Sequence, residues 1–196
     1  MSHTRQTADI AAWLAATQRR VRGGAKPRAA VLQRRFEAPI DAVWRAWTDR
    51  ERLAFWFGSV SGDLRQGATL RLEVGAPHPV TCVVERCEPP QRLSVTWWYE
   101  GFARDYVDHV ELRLTAVGDS TELELEHRSE NDTDFWNGVG PGWEDWFFRL
   151  TALLSGADPP ESSDELQAQA AKLWATVTPE VDMPPRAGAD SGASAS

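Results

Sequence analysis

Tyr106-Val107-Asp108-His109-Val110-Glu111-Leu112-Arg113-Leu114-Thr115-Ala116-Val117-Gly118-Asp119-Ser120-Thr121-Glu122-Leu123-Glu124-Leu125-Glu126-His127-Arg128 is the stretch that decides the fold. Two alternating runs flank Gly118-Asp119, a pair suited to the tight turn of a two-residue β-hairpin. The turn sets the register. Val117 opposes Ser120, Leu114 opposes Leu123, Leu112 opposes Leu125 and Val110 opposes His127. One face is therefore apolar. The other is charged, with Arg113 facing Glu124 in an ion pair worth about 0.5 kcal/mol. A slip of one residue would bury Glu122, Glu124 and Glu126 without partners, which the desolvation of charge forbids.

An apolar sheet face needs a cover. Residues 141–154 supply it: Trp143, Trp146, Phe147, Leu150, Leu153 and Leu154 recur at helical spacing, with Pro141 in the first turn and Gly156 beyond the end. Upstream, the pattern predicts a strand over 31–37 and a short helix from Pro39 whose inner face is Val43, Trp44 and Trp47. A second short helix follows, opened by the Thr48-x-x-Glu51 capping spacing and closed at Gly58. Strand-like runs then cover 59–64, 69–75, 80–88 and 93–100. Cys82 and Cys87, five apart on one of these runs, are expected on opposite faces and unpaired. The order implies an α+β fold in which a curved antiparallel sheet of six or seven strands wraps a long C-terminal helix.

Several of these segments resemble the domain named after the activator of the heat-shock-protein-90 ATPase. Arg35-Phe36-Glu37-Ala38-Pro39, Val43-Trp44-Arg45-Ala46-Trp47-Thr48-Asp49, Leu53 and Trp56-Phe57 are similar to its opening. Pro89-Pro90, Arg92-Leu93 and Thr96-Trp97 are similar to its centre, and Thr121-Glu122-Leu123 and Gly142-Trp143 through Leu150 to its end. The resemblance spans about 31–155. It implies the START-like (SRPBCC), helix-grip superfamily, whose members enclose an apolar cavity between sheet and helix. Members bind lipids, sterols, polyketides or hormones, act as cyclases or hydrolases, or serve as co-chaperones. Fold alone does not choose among these.

The implied cavity directs attention to inward side chains. Trp97, Tyr99, Tyr106, Asp108 and His127 fall on the inner face of their strands, and Trp56, Trp143 and Phe147 come from the helices. All eight are candidate ligand-binding residues. Asp108 and His127 lie near each other and are also candidates for general acid–base work. A structural or ligand-anchoring pair is the alternative, and no Ser or Cys nucleophile accompanies them. His3, His78 and His109 are scattered, so neither a metal nor another cofactor is expected.

The chain has 196 residues and ten tryptophans, eight of them within 31–156. The net charge of −8 is uneven. Residues 1–35 hold eight basic residues and one acid, a charge of +7, which leaves −15 on the remainder. The main domain would therefore repel a phosphate backbone. Residues 1–30 read as a basic arm with a helix over about 7–22, stopped by Gly23-Gly24. Residues 157–196 read as an acidic extension with one helix over about 163–177, capped through the Ser162-x-x-Glu165 spacing, and a low-complexity tail. Either extension is a candidate for a protein partner. No run is long enough to span a membrane and no signal-peptide pattern opens the chain, so a cytoplasmic location is expected.

The reading most consistent with these features is a binding protein for an apolar or aromatic small molecule. The alternatives are a co-chaperone-like or regulatory interaction module, and a cyclase, dehydratase or hydrolase using Asp108 and His127.

Overall fold

A computed structural model describes residues 10–23, 27–74, 78–102, 107–129, 138–158 and 160–180. Its eight strands are β1 (Gln18–Arg22), β2 (Arg28–Phe36), β3 (Ser59–Gly62), β4 (Thr69–Glu73), β5 (Val80–Glu88), β6 (Arg92–Tyr99), β7 (Asp108–Val117) and β8 (Ser120–Ser129). The helices are α1, described over residues 10–15, α2 (Ile40–Thr48), α3 (Arg50–Trp56), α4 (Gly140–Leu154) and α5 (Asp164–Trp174). All strands are antiparallel neighbours in the order β1-β2-β8-β7-β6-β5-β4-β3. With α4 packed on the inner face, this is the expected helix-grip architecture with one strand more than the sequence pattern counted.

The hairpin register is the expected one at every quoted pair, from Val117 opposite Ser120 to Val110 opposite His127. Arg113 donates to Glu124 at 3.0 Å on the outer face. Leu112, Leu114, Leu123 and Leu125 are buried in one hydrophobic core with Trp143, Phe147 and Leu150 of α4.

The additional strand comes from the basic arm. Residues 18–22 are not the end of a helix. They form β1, paired along its whole length with β2. Alternation then sends Arg20 and Arg22 outward, and they reach past β2 to Glu124 at 2.6 Å and Glu126 at 2.5 Å. Val31, opposite Arg20 in the register, has no exposed surface. Arg19 points the other way. It grips Glu144 of α4 through Nε at 2.7 Å and Nη2 at 2.5 Å.

Three further expectations are corrected. The cap of α3 is Asp49, not Thr48: its Oδ1 accepts from the N–H groups of Glu51 and Arg52, while the Thr48 hydroxyl bonds back to Trp44. The cap of α5 is Ser163, one residue later than the expected Ser162. The two cysteines do not face opposite ways. A bulge between Val84 and Arg86 shifts the alternation, so Cys87 opposes the buried Leu93 and packs on the core side, as Cys82 does. Both thiols are free.

The C-terminal extension docks on the same helix as the arm. Leu166, Ala170 and Trp174 of α5 are buried against α4. The Trp174 ring lies directly over Gly140, where a Cβ would approach it to 2.4 Å, so this glycine is a packing requirement. Its indole N–H donates to Glu144 at 2.6 Å. After α5 the chain returns to the sheet edge, where the Glu180 N–H donates to Val21 at 2.7 Å and Gly23 donates to Glu180 at 3.1 Å. Tyr106, the first residues of the arm and the low-complexity tail lie outside the described residues.

Candidate functional site

Helix α4 crosses a twisted sheet and cannot touch all of it equally. On the side of β4 to β7 a cavity remains. Its floor is built from alternate inward residues: Leu70 and Leu72 on β4, Cys82 on β5, Leu93 and Val95 on β6, and Val110 and Leu112 on β7. Aromatic rings form its wall, with Trp47 from α2, Phe57 from the end of α3, Trp97 from β6 and Trp143 from α4. Val60 and Leu64, the partly exposed members of the lining, mark the side that opens to solvent. The space measures about 520 Å³ with the open solvent at its mouth included, and about 50 Å³ lies far enough from every wall to hold the centre of a water molecule.

The rings are mutually braced. Phe57 stacks on Trp143 with centroids 6.0 Å apart, and Trp143 stands between Trp47 at 6.1 Å and Trp97 at 5.6 Å. Three indoles therefore border one space, but their N–H groups are treated differently. Trp143 donates to Nδ1 of His127 at 3.0 Å. The N–H groups of Trp47 and Trp97 are buried and have no hydrogen-bond partner. The Trp97 indole lies close enough to Tyr99 to favour its phenolate, but it makes no hydrogen bond of ordinary geometry. Burial is the larger influence on Tyr99 and raises its phenol above the usual range. Burial also pushes the Cys82 thiol up to about 12, so at neutral pH the cavity floor carries no charge.

His127 is buried, as its register required, with 1% of its surface exposed. Its Nε2 is 2.9 Å from Oδ2 of Asp108. An indole N–H can only donate, so Nδ1 accepts from Trp143 and the ring proton sits on Nε2 toward Asp108. The result is a directed chain, Trp143 to His127 to Asp108. Both ring nitrogens are engaged within the protein, and neither His127 nor Asp108 lines the cavity. The arrangement fixes the orientation of the Trp143 ring; it leaves no lone pair of His127 facing the cavity to take a proton from a molecule there.

The remaining sequence candidates separate by position. Trp97 and Trp143 line the cavity. Trp56 is buried behind it, its N–H bonded to the Ala46 carbonyl at 2.9 Å and its ring 4.9 Å from Trp47. Phe147 braces Trp47 and Phe36 edge-to-face. Tyr99 lies beyond Trp97, at 6.2 Å between ring centroids. Trp47 and Phe57, which were not among the sequence candidates for the site, are walls of the cavity. The signal that could have found them is their place at the C-terminal ends of α2 and α3, the two short helices that lead the chain into β3. Among the described residues, no group of three His, Cys, Asp or Glu side chains is placed to hold a metal, and no helix is long and apolar enough to cross a membrane.

The family model described as Activator of Hsp90 ATPase homolog 1-like protein matches residues 37–155. Among solved structures, CalU16 from Micromonospora echinospora is 35% identical with a TM-score of 0.70, the match covering 82% of this chain and 96% of that one. DynU16, from the dynemicin biosynthetic locus, is 27% identical with a TM-score of 0.62 over 68% of this chain and 50% of that one. The Hsp90 activator PFC0360w of Plasmodium falciparum is 17% identical with a TM-score of 0.56 over 65% of this chain and 96% of that one, a likeness of fold alone. No protein with a curated description matches significantly.

Proposed function

The chain belongs to the Activator of Hsp90 ATPase homolog 1-like family, and for it we propose a role in binding an apolar, ring-bearing small molecule between α4 and the sheet. The observation that carries this reading is the cavity: it is walled by aromatic rings, floored by aliphatic side chains, and open past Val60 and Leu64. Ligand sites are characteristically concave and apolar in this way. A ring ligand needs more room than the innermost 50 Å³, since cavities that admit benzene measure about 150 Å³. Entry therefore displaces side chains of the partly exposed rim rather than the braced indoles. The occurrence of a similar protein, DynU16, in a biosynthetic locus supports a small molecule as the partner.

The described parts of both extensions are docked on the chain itself, through Arg19, Arg20 and Arg22 at one end and Trp174 at the other. That favours the cavity over the extensions as the place where a partner is met.

Titration with the uncharged fluorophore N-phenyl-1-naphthylamine tests the proposal. Saturable binding of one molecule per chain is expected. Leu72→Trp, which fills the floor, should weaken it at least tenfold while the circular dichroism spectrum is kept. Absence of saturable binding, or binding indifferent to the blocked floor, would overturn the proposal.

A further inference from the structure

One wall of the cavity is held from behind by a group that can change charge. We propose that His127, backed by Asp108, is a positioning residue for the ligand site: its neutral imidazole holds the Trp143 ring in the wall, and a proton added at Nδ1 releases that ring and weakens binding. The proposal rests on the ligand-binding reading above and deepens it by coupling affinity to pH.

The two hydrogen bonds of the imidazole respond differently to protonation. Nε2 carries its proton toward Asp108 at 2.9 Å whether the ring is neutral or charged. Nδ1 accepts from the Trp143 N–H at 3.0 Å only while its lone pair is free. A proton arriving at Nδ1 takes that lone pair and sets two N–H groups against each other. The Asp108 carboxylate favours the charged ring, so the bond that gives way is the one to Trp143. That indole is 1% exposed and would be left a buried donor without an acceptor, a loss that drives the ring out of its place. The Trp143 ring lies 6.0 Å from Phe57, 5.6 Å from Trp97 and 6.1 Å from Trp47, the other three aromatic walls. Displacing it reshapes the space, although neither His127 nor Asp108 lines it.

The surroundings of the ring leave this balance to its two partners. Among the described residues, Asp108 of β7 is the charged group bonded to His127, and its side chain is 13% exposed. Val110 and Ala30 oppose His127 on the neighbouring strands, and the Trp97 ring of β6 lies 6.0 Å away. Tyr99, further along β6, is raised by burial and stays uncharged near neutral pH. Arg28 lies on β2, two residues from Ala30. On α4, Glu144 is engaged by Arg19 and Trp174, Asp145 accepts from the Ser163 N–H, and Arg149 lies further along the helix. The sequence neighbours Glu126 and Arg128 point to the outer face, where they pair with each other.

Titration with N-phenyl-1-naphthylamine between pH 8 and about pH 5 tests this, since the range spans the ordinary imidazole value of about 6.5 and the diarylamine stays uncharged across it. The wild-type chain is expected to bind about fivefold more weakly at the acid end, with its circular dichroism spectrum kept. The nitrogen-15 spectrum of the His127 ring should show the proton on Nε2 at pH 8. Saturating probe should hold the ring neutral to lower pH, by about one pH unit for each tenfold of affinity lost, because the coupling is reciprocal. Two variants separate positioning from packing. His127→Asn keeps an amide oxygen near the place of Nδ1, whereas His127→Gln reaches toward Asp108 and leaves Trp143 without an acceptor. At pH 8 the first should bind within about twofold of the wild type and the second about fivefold more weakly, and neither should show the acid loss. If the variants do not fold, the wild-type titration and ring spectrum decide. Affinity indifferent to pH, a ring proton on Nδ1 at pH 8, a titration of His127 unmoved by the probe, or equal affinities of the two variants overturns the proposal and leaves the binding reading standing. Failure of the probe to bind at pH 8 overturns both.

Discussion

Helix α4 is held in two different ways along its circumference. Toward β1 and α5 its contacts are filled and ionic. Glu144, with no exposed surface, receives both arms of the Arg19 guanidinium and the indole N–H of Trp174. Arg34 lies over the face of Trp13 at 4.1 Å and donates to the Trp13 carbonyl at 2.7 Å. Burial brings that guanidinium down to about 10, against the opposing pull of Glu144. Toward β4 to β7 the same helix meets rings and aliphatic chains across a gap, and two indole donors go unanswered. Charge is spent where the helix is anchored and withheld where a ligand would sit. The first side fixes the position of α4, so the second can stay incompletely packed without the helix closing onto the sheet.

The largest effect tests the anchored side. Glu144→Ala strips the acceptor from a guanidinium whose side chain is only 10% exposed and from the Trp174 indole. Removing one member of a buried pair costs about 3–5 kcal/mol. We expect urea denaturation to show a loss of that size, and Glu144→Gln, which keeps an acceptor for Trp174, to lose less. A Glu144→Ala chain as stable as the wild type would mean that arm and extension do not anchor α4.

What could be read in the sequence divides along the same line. The hairpin of β7 and β8 and helix α4 were legible because their alternation, turn and helical spacing are local. Of the residues that floor the cavity, Val110 and Leu112 followed from the same hairpin alternation. The anchored side was not legible. Arg19, Arg20 and Arg22 resemble the basic end of a helix, and their partners Glu144, Glu124 and Glu126 lie more than a hundred residues away. Glu144 itself interrupts an apolar helical stripe, and nothing local distinguishes it from a solvated acid. Nor does alternation reveal the β5 bulge that turns Cys87 inward, because one inserted residue reverses every parity beyond it. Whether inward residues fill or leave a gap depends on summed side-chain volumes across five strands and three helices, which no single segment contains. The Asp108–His127 contact was legible, but the engagement of the second nitrogen by Trp143 depends on the angle at which α4 crosses the sheet.

A middle-sized effect tests the uncharged floor by pH. The Cys82 thiol ordinarily ionises near 9 and is pushed up to about 12 by burial. Above pH 9 the unfolded chain releases this proton while the folded chain keeps it, so stability falls with rising pH and levels off beyond about pH 12. At pH 10 the loss is about 1.4 kcal/mol, one pH unit's worth. Tyr99, also raised by burial, acts in the same direction. Cys82→Ala should cost a pH-independent amount for the lost packing and flatten the decline between pH 8 and 10 relative to wild type. Parallel declines in the two chains would place the thiol in contact with solvent and the cavity floor with it.

The smallest effect compares the two sides directly, by adding one methylene to each. Val110 lines the gap, whereas Val21, with no exposed surface, is enclosed where β1 meets β2 and the returning chain. Valine to isoleucine is the same chemical change at both, so the transfer of one methylene from water contributes about 0.8 kcal/mol in each case. The outcomes differ through the space available. At Val110 the free 50 Å³ takes the new carbon without moving a wall, and Val110→Ile should be neutral or more stable by up to about 0.8 kcal/mol. At Val21 the carbon must displace packed neighbours, and Val21→Ile should be destabilising by about 1 kcal/mol. Midpoints of urea unfolding for the two variants therefore move apart, Val110→Ile to the higher concentration. The Val110 variant should also bind N-phenyl-1-naphthylamine more weakly, since its methylene occupies room the probe needs, and the Val21 variant should bind it as the wild type does. Equal midpoints would mean that both sides of α4 are packed alike, and the contrast between an anchored side and an open one would fail.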